Sequence, residues 1–260
     1  MLKSLHDQRV ININNFLKSL KINSAKFHAI LNNQNLEILS IIDEALTHSS
    51  ANKGFNHEKL EFFGDAVLRL SASEFIDNYF KNMKVGQRSL LRAQIVSDEW
   101  LTKFGKKINL EEIIIVGPKA MGDFSSKDTI IAETTEALIG AFYKCFKSIK
   151  EINIWLDQYW FEDAKIILEA PYKFNAKSTL QEWCQEKGIN LPKYKICEIS
   201  KTNGDPKRFF CELYISGIVF TTSYGQSHKR AEKNAARKAI EMINKGERIT
   251  KLIPNYEGER

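Results

Sequence analysis

The stretch HEKLEFFGDAVL, His57 to Leu68, sets three acids, Glu58, Glu61 and Asp65, in a run otherwise composed like protein core. Read as a helix, the spacing i, i+3, i+7 gathers the three carboxylates into a stripe about 60° wide. Leu60, Phe63, Ala66, Val67 and Leu70 occupy much of the remaining circumference. Like charges at these spacings repel by a few tenths of a kcal/mol on an exposed helix and by more when partly buried. Arg69, four residues after Asp65, offers an ion pair on a solvated face, which is the plain structural reading. A second run, IIAETTEALIGAFY from Ile130 to Tyr143, places Glu133 and Glu136 one helical turn apart among small and apolar neighbours. Carboxylates converging from two helices are the oxygen ligands that a hard cation such as Mg²⁺ takes, as in phosphoryl-transfer sites. Spacing alone does not bring the two helices together, so solvated face and metal site both stand at this point.

Outward from these two runs, residues 1 to 165 keep a helical rhythm. Apolar positions such as Phe27, Ile30, Leu31, Leu36 and Leu39 recur at helical spacing, as they do from Leu60 to Phe80 and from Leu90 to Phe104. Gly54, Gly86, Gly105 and the stretch from Gly117 to Thr129 mark loops, and Ile113 to Val116 suits a strand or a helix end. The 260 residues, 43% hydrophobic and 27% charged, suffice for two cores. No apolar run approaches the roughly 18 residues of a membrane span, and the N-terminus lacks an apolar signal core, so a cytoplasmic location without membrane contact is expected. Cys145, Cys184, Cys197 and Cys211 are scattered without a CxxC pair, which predicts buried free thiols rather than a zinc site or disulfide framework.

Charge is unevenly distributed. Residues 1–173 carry 22 Lys+Arg and 22 Asp+Glu, whereas residues 174–260 carry 16 and 10, so the whole excess of +6 belongs to the last third. A basic module beside a neutral one suggests a polyanionic partner, although charge alone is equally served by a solubility surplus. Pro171 falls where the balance changes and predicts a linker at 168–176. Beyond it, a helix from Ser178 to Lys187 precedes three β-rich runs, 194–200, 208–215 and 218–224, separated by Asn203 to Pro206 and by Ser216-Gly217. A helix from Ser227 to about Asn244 closes an αβββα unit, whose sheet must bury one face against both helices.

HEKLEFFGDAVL resembles the signature ERLEFLGDAVL of the ribonuclease III family. Three further segments agree in order: ALTHSS (45–50), SLLRAQIVS (89–97) and ETTEALIGA (133–141). In the last third, STLQEWCQ (178–185), LPKY (191–194) and SHKRAEKNAARKAI (227–240) are similar to a double-stranded RNA-binding domain. The resemblance covers roughly residues 27 to 243. It implies an all-α endonuclease domain of ribonuclease III type at 10–167, the linker, and an α+β (αβββα) double-stranded RNA-binding domain at 177–245. A disordered tail at 246–260 completes the expected organisation. The compact two-domain form resembles the bacterial members, and implies a homodimer that uses Mg²⁺, with Mn²⁺ as a substitute and no further small-molecule cofactor. Each subunit would cut one strand of duplex RNA, leaving 5′-phosphate and 3′-hydroxyl ends with short 3′ overhangs, in maturation of ribosomal and other structured RNA.

Carried over residue by residue, the resemblance makes Glu61, Asp65, Glu133 and Glu136 metal ligands, with Asp65 and Glu136 catalytic and Glu58 an auxiliary acid. Phe62 matches an aromatic knob at the dimer interface, against a plain core role. RNA contacts fall on Thr179, Gln181 and Glu182, on the Asn203 to Arg208 loop with Lys207 and Arg208, and on His228, Lys229, Arg230 and Lys233 at a helix N-terminus. Such domains read duplex shape across about 16 base pairs. Four positions depart from the family pattern: Glu133 replaces Asp, Val85 a frequent Glu, Lys207 a His, and His228 a Lys. The longer arm of Glu133 predicts lower activity or better use of the larger Mn²⁺. His48 and Ser49 lack a GxSxG turn and are read as helix-end hydrogen bonding and packing, and His57 as equally surface or functional. The alternative to an enzyme is a duplex RNA-binding regulatory or structural protein with weak or no cleavage. A small-molecule enzyme would leave the basic αβββα unit unexplained.

Overall fold

The computed structural model describes residues 7–20, 22–33, 35–121, 126–169, 172–202 and 204–247. The chain divides into two compact units between Ile166 and Ile167. The first is helical: α1 (Asp7–Ser19), α2 (Ala25–Asn33), α3 (Leu36–Ala45), α4 (Glu58–Tyr79), α5 (Val85–Ile95), α6 (Asp98–Lys107), α7 (Pro118–Met121), α8 (Lys127–Phe146) and α9 (Ile149–Glu169). Short 3-10 turns lie at Ser49–Ala51 and Leu110–Glu112.

Because α8 is apolar or small around most of its circumference, it runs through the core, with α3, α4 and α6 packed upon it. Aromatic edges lock α9 to this centre: Trp155 meets Phe142 at 4.9 Å and Phe104 at 5.3 Å, and Trp160 meets Phe75 at 5.4 Å between ring centroids. The Trp160 indole donates to the Ile95 carbonyl at 3.0 Å, so this buried ring keeps its polar partner.

The crossing of α4 and α8 is a backbone contact. A Cβ on Gly64 would lie 1.9 Å from the Glu136 carbonyl oxygen, and one on Gly140 would lie 2.3 Å from that of Leu60. A helix-interior glycine costs about 1 kcal/mol relative to alanine. Here that cost permits an approach that a methyl group would forbid.

The Ile113 to Val116 run forms no extended strand. Ile115 instead makes one parallel bridge to Thr47, donating to the Leu46 carbonyl at 2.8 Å and accepting from the His48 N–H at 2.9 Å. Gly117 closes the same clamp, since a Cβ there would lie 2.0 Å from the Ser50 carbonyl oxygen. The segment carrying His48 is thereby held beside the start of α4, where the His57 N–H donates to the Thr47 carbonyl at 2.9 Å.

The second unit comprises α10 (Tyr172–Glu186), β1 (Lys193–Glu198), β2 (Phe209–Ile215), β3 (Ile218–Gly225) and α11 (His228–Asn244). The sheet is antiparallel in the order β1-β2-β3. Ser216 (φ 50°) and Gly217 (φ 79°) form the two-residue β2–β3 turn, both in the left-handed region that such a hairpin requires. Cys211, Leu213 and Ile215 alternate into a core shared with Leu180 of α10 and Ala235 of α11. Part of the stretch expected as linker is helical: α9 continues to Glu169, α10 starts at Tyr172, and the helix kinks at Asn175 (φ −118°, ψ 38°). Pro171 and residues 248–260 of the expected tail lie outside the described residues. Cys184 and Cys211 are buried, but Cys145 is only half-buried and Cys197 is exposed, pointing off an outer strand.

Candidate active site

The glycine crossing brings together the two acidic runs that spacing had left separate. Glu58, Glu61 and Asp65 of α4 and Glu133 and Glu136 of α8 line one open cleft of about 710 Å³, with Ser49, His57, Phe62, Phe63 and Ala66 around them. The start of α4 is held by Asn56, whose side chain accepts from the Glu58 N–H at 3.1 Å, and by the His57 carbonyl, which accepts from the Glu61 N–H at 2.9 Å.

The carboxylates feel one another. Burial, then the charges of Asp65 and Glu61, push the Glu136 carboxyl up to about 7, with Asp98 adding and Arg69 opposing. Burial, followed by Glu133 and Glu58, also raises Glu61. The ion pair offered by the plain reading is formed: Arg69 Nε reaches the Asp65 oxygens at 2.7 and 2.9 Å. It serves Asp65 at the rim, while Glu61 and Glu136 keep their repulsion. Four oxygen-donor side chains, only one of them paired with a cation, fit a hard divalent ion, which would relieve what raises Glu61 and Glu136.

Under the acids sits His57, and here the surface reading is corrected: the ring is 1% exposed. Its backbone tie to Thr47 turns the side chain inward. Neither ring nitrogen has a hydrogen-bond partner. The nearest acceptors, Glu61 Oε2 and Glu133 Oε2, stand off at 3.4 and 3.5 Å from Nε2. His48 lies alongside, its ring centroid 4.7 Å from that of His57 and its Nε2 3.4 Å from Glu133 Oε2. His48 Nδ1 is 2.8 Å from Ser50 Oγ and accepts from the Ser50 N–H at 3.2 Å, the helix-end role expected of it. Burial first, then neighbouring His48, lower the His57 pKa, with Glu133 and Glu58 opposing.

Phe62 is not core: it is 85% exposed, and Ala66 and Leu70, expected on the apolar side, are exposed with it. At i, i+4 and i+8 they form an apolar stripe on α4 beside the acids. Val85 opens α5, exposed and outside the cleft lining.

In the second unit, Gln181 and Glu182 are exposed on α10 and Thr179 is half-buried. Lys207 is exposed, while Arg208 pairs with Glu198 at 2.8 Å and covers the Phe209 ring. Asn203 lies outside the described residues. His228, Lys229 and Arg230 are exposed in the first turn of α11, with Lys233 half-buried a turn later. Ser227 caps this helix, accepting from the Arg230 N–H at 3.2 Å. Gly225 lets β3 end against it, since a Cβ would lie 2.3 Å from the Ala231 nitrogen. The cationic turn is therefore fixed to the sheet and open to solvent.

A helical unit with a carboxylate cleft, joined to a basic αβββα unit, defines a nuclease class directed at structured nucleic acid. Comparisons make this specific. Residues 39–153 match the Ribonuclease-III-like family model, and residues 176–243 match the double-stranded RNA binding motif. Among curated relatives, Ribonuclease 3 of Prochlorococcus marinus is 46% identical over 236 residues, covering 91% of this chain and 94% of the relative. Ribonuclease 3 2 of a Nostoc species is 34% identical over 209 residues, covering 80% and 86%. The chain belongs to the ribonuclease III family of metal-dependent, double-strand-directed endoribonucleases.

Proposed function

We propose that the chain cleaves double-stranded RNA with Mg²⁺ held by Glu61, Asp65, Glu133 and Glu136, Mn²⁺ serving as a substitute, and Glu58 acting as an auxiliary acid. The carrying observation is the meeting of these carboxylates in one cleft across the Gly64/Gly140 crossing. When bound, the cation supplies a polarised phosphodiester oxygen and an activated water. Attack at phosphorus expels the 3′-oxygen, which leaves as a hydroxyl opposite a 5′-phosphate. Asp65 and Glu136, one from each acidic helix, are the residues on which this chemistry depends most. Arg69 holds Asp65 in place at the rim.

The basic first turn of α11, with Lys207 and the exposed face of α10, grips the duplex by shape and phosphate contacts. The exposed Phe62, Ala66 and Leu70 stripe supports pairing of two copies, giving two cleavage sites and short 3′ overhangs. In this reading the enzyme acts in the cytoplasm on ribosomal and other structured RNA.

The test is incubation of the chain with labelled duplex RNA, with its single strands and with DNA duplex of the same sequence, in Mg²⁺, Mn²⁺ and chelator, followed by end analysis. Metal-dependent products from duplex RNA alone, with 5′-phosphate and 3′-hydroxyl ends, are expected. Duplex binding without cleavage in either metal would sink the proposal.

A further inference from the structure

The geometry points to a second cation site beside the carboxylate cluster, built from His48 Nε2, His57 Nε2 and Glu133 Oε2, that takes a borderline, imidazole-preferring divalent ion of the Zn²⁺ type. Three observations carry it. The first is spacing. His48 Nε2 to Glu133 Oε2 is 3.4 Å, His57 Nε2 to Glu133 Oε2 is 3.5 Å, and His57 Nε2 to Glu61 Oε2 is 3.4 Å. These separations are long for N–H···O bonds, whose usual range ends near ~3.2 Å. These nitrogen-to-oxygen separations match the ligand-to-ligand edge of a tetrahedron with metal bonds of about 2.0–2.1 Å, which is roughly 3.3–3.4 Å, and the ligand atoms of His48, His57 and Glu133 all lie within 4.8 Å of one another.

The second observation is an orphan. His57 is 1% exposed, and both of its ring nitrogens lack a hydrogen-bond partner. A buried polar group left so is costly, by about 1–3 kcal/mol. Its Nε2 faces the two carboxylate oxygens, where an ion would satisfy all three at once.

The third is support for the ligands. His48 Nδ1 lies 2.8 Å from Ser50 Oγ, which itself accepts from the Gly117 N–H at 3.0 Å. Nδ1 accepts from the Ser50 N–H at 3.2 Å, so ligation through Nε2 requires the proton to move to Nδ1, where the Ser50 hydroxyl is placed to accept it, as the outer-sphere partner of a metal-bound histidine does. Nδ1 is within reach of both the Ser50 N–H and the Ser50 hydroxyl, so the ring can change tautomer without turning.

The donor set separates this site from its neighbour. Two imidazoles and a carboxylate favour Zn²⁺ over Mg²⁺, whereas the carboxylates of the cleft favour Mg²⁺ or Mn²⁺. Glu133 serves both sites, and this part of the inference rests on its proposed role with Mg²⁺. An ion held by the histidines withdraws Glu133, and Glu61 with it, from the catalytic cation. Zn²⁺ therefore antagonises Mg²⁺-supported cleavage without occupying the RNA-binding unit.

The experiment is calorimetric titration of the chelator-treated full chain with Zn²⁺, without RNA, repeated with Co²⁺ to record the intense visible bands of four-coordinate cobalt. Wild type, His48→Asn, His57→Asn and Asp65→Asn are compared after circular dichroism confirms folding. One saturable site is expected, weakened at least tenfold in each histidine variant and within twofold of wild type in Asp65→Asn. Should His57→Asn fail to fold, His48→Asn decides, together with the proton spectrum, in which Zn²⁺ must shift the resonances of both rings. Absence of a saturable site, or loss in Asp65→Asn with retention in His48→Asn, overturns the inference. Neither result bears on Mg²⁺-dependent cleavage, which is measured separately with RNA present.

Discussion

Gly64→Ala adds one methyl group where α4 meets α8 and should disable the enzyme through geometry alone. The new Cβ would sit 1.9 Å from the Glu136 carbonyl oxygen and 2.7 Å from its carbon, both backbone atoms of a buried helix that cannot turn aside. Reaching even 3.0 Å, the limit below which Cβ contacts essentially never fall, requires the helices to part by 3.0 less 1.9, or 1.1 Å, at the crossing. Overpacking of this kind costs about 1–3 kcal/mol or more, against which alanine returns about 1 kcal/mol of helix propensity. A net loss of about 1–2 kcal/mol in denaturant unfolding of the nuclease unit is expected.

The larger effect is on activity. Glu61 and Asp65 ride on one helix and Glu133 and Glu136 on the other, so separation expands the carboxylate set by roughly the same 1 Å, enough for about a hundredfold loss of rate. Single-turnover cleavage of a duplex in saturating Mg²⁺ measures this, with binding of the same duplex followed in parallel and expected to hold within twofold. A Gly64→Ala protein that is as stable and as fast as wild type would refute the argument that the glycine crossing sets the site.

Asp157→Asn should stabilise the protein at neutral pH. Burial raises the Asp157 carboxyl from 3.8 to about 6, and its Oδ1 lacks a partner. A raised acid binds its proton more tightly when folded, so the penalty is absent below pH 4, grows between about 4 and 6, and is complete above. The rise from 3.8 to about 6 would bound the effect at about 3 kcal/mol, which partial exposure reduces to about 1 kcal/mol; the variant's lead in melting temperature should be present at pH 8 and vanish near pH 4. Replacing Lys229 and Arg230 together by Ala should flatten the plot of log affinity for duplex RNA against log salt by about 1.5, from two lost phosphate contacts. Phe62→Ala should weaken self-association by at least tenfold in sedimentation equilibrium, and an unchanged dimer would remove Phe62 from the interface.

How much of this was legible in sequence depends on the kind of signal. The stripe of Glu58, Glu61 and Asp65, and the Glu133/Glu136 pair, follow from helical spacing, and the structure keeps each on its helix. The αβββα unit was equally legible, because Ser216-Gly217 can hardly be anything but a hairpin turn and Ser227 caps the helix that follows. That the acidic helices meet came only from the family resemblance and not from spacing, although a local signal was present: Gly64 and Gly140 sit inside two strong helical runs, where an unexplained glycine marks close approach. Burial of His57 had no local signal, since Asn56 and Glu58 flank it with polar groups. It is imposed by the Leu46–Ile115 clamp, a contact nearly 70 residues long in sequence that the ambiguous Ile113 to Val116 run concealed. The exposure of Ala66 and Leu70 was hidden for the opposite reason: periodicity marks apolar residues without saying whether a core covers them, and for Phe62 only the family resemblance pointed outward.

The central claim is that carboxylates from α4 and α8 hold the catalytic cation while the second unit holds the RNA. Its most direct test is single-turnover cleavage and equilibrium binding of one duplex by wild type and Glu136→Gln in Mg²⁺. The account predicts that the substitution removes cleavage by about a thousandfold or more, worth roughly 4 kcal/mol at the transition state, and leaves binding within twofold. Cleavage that survives in Glu136→Gln at near wild-type rate would contradict it.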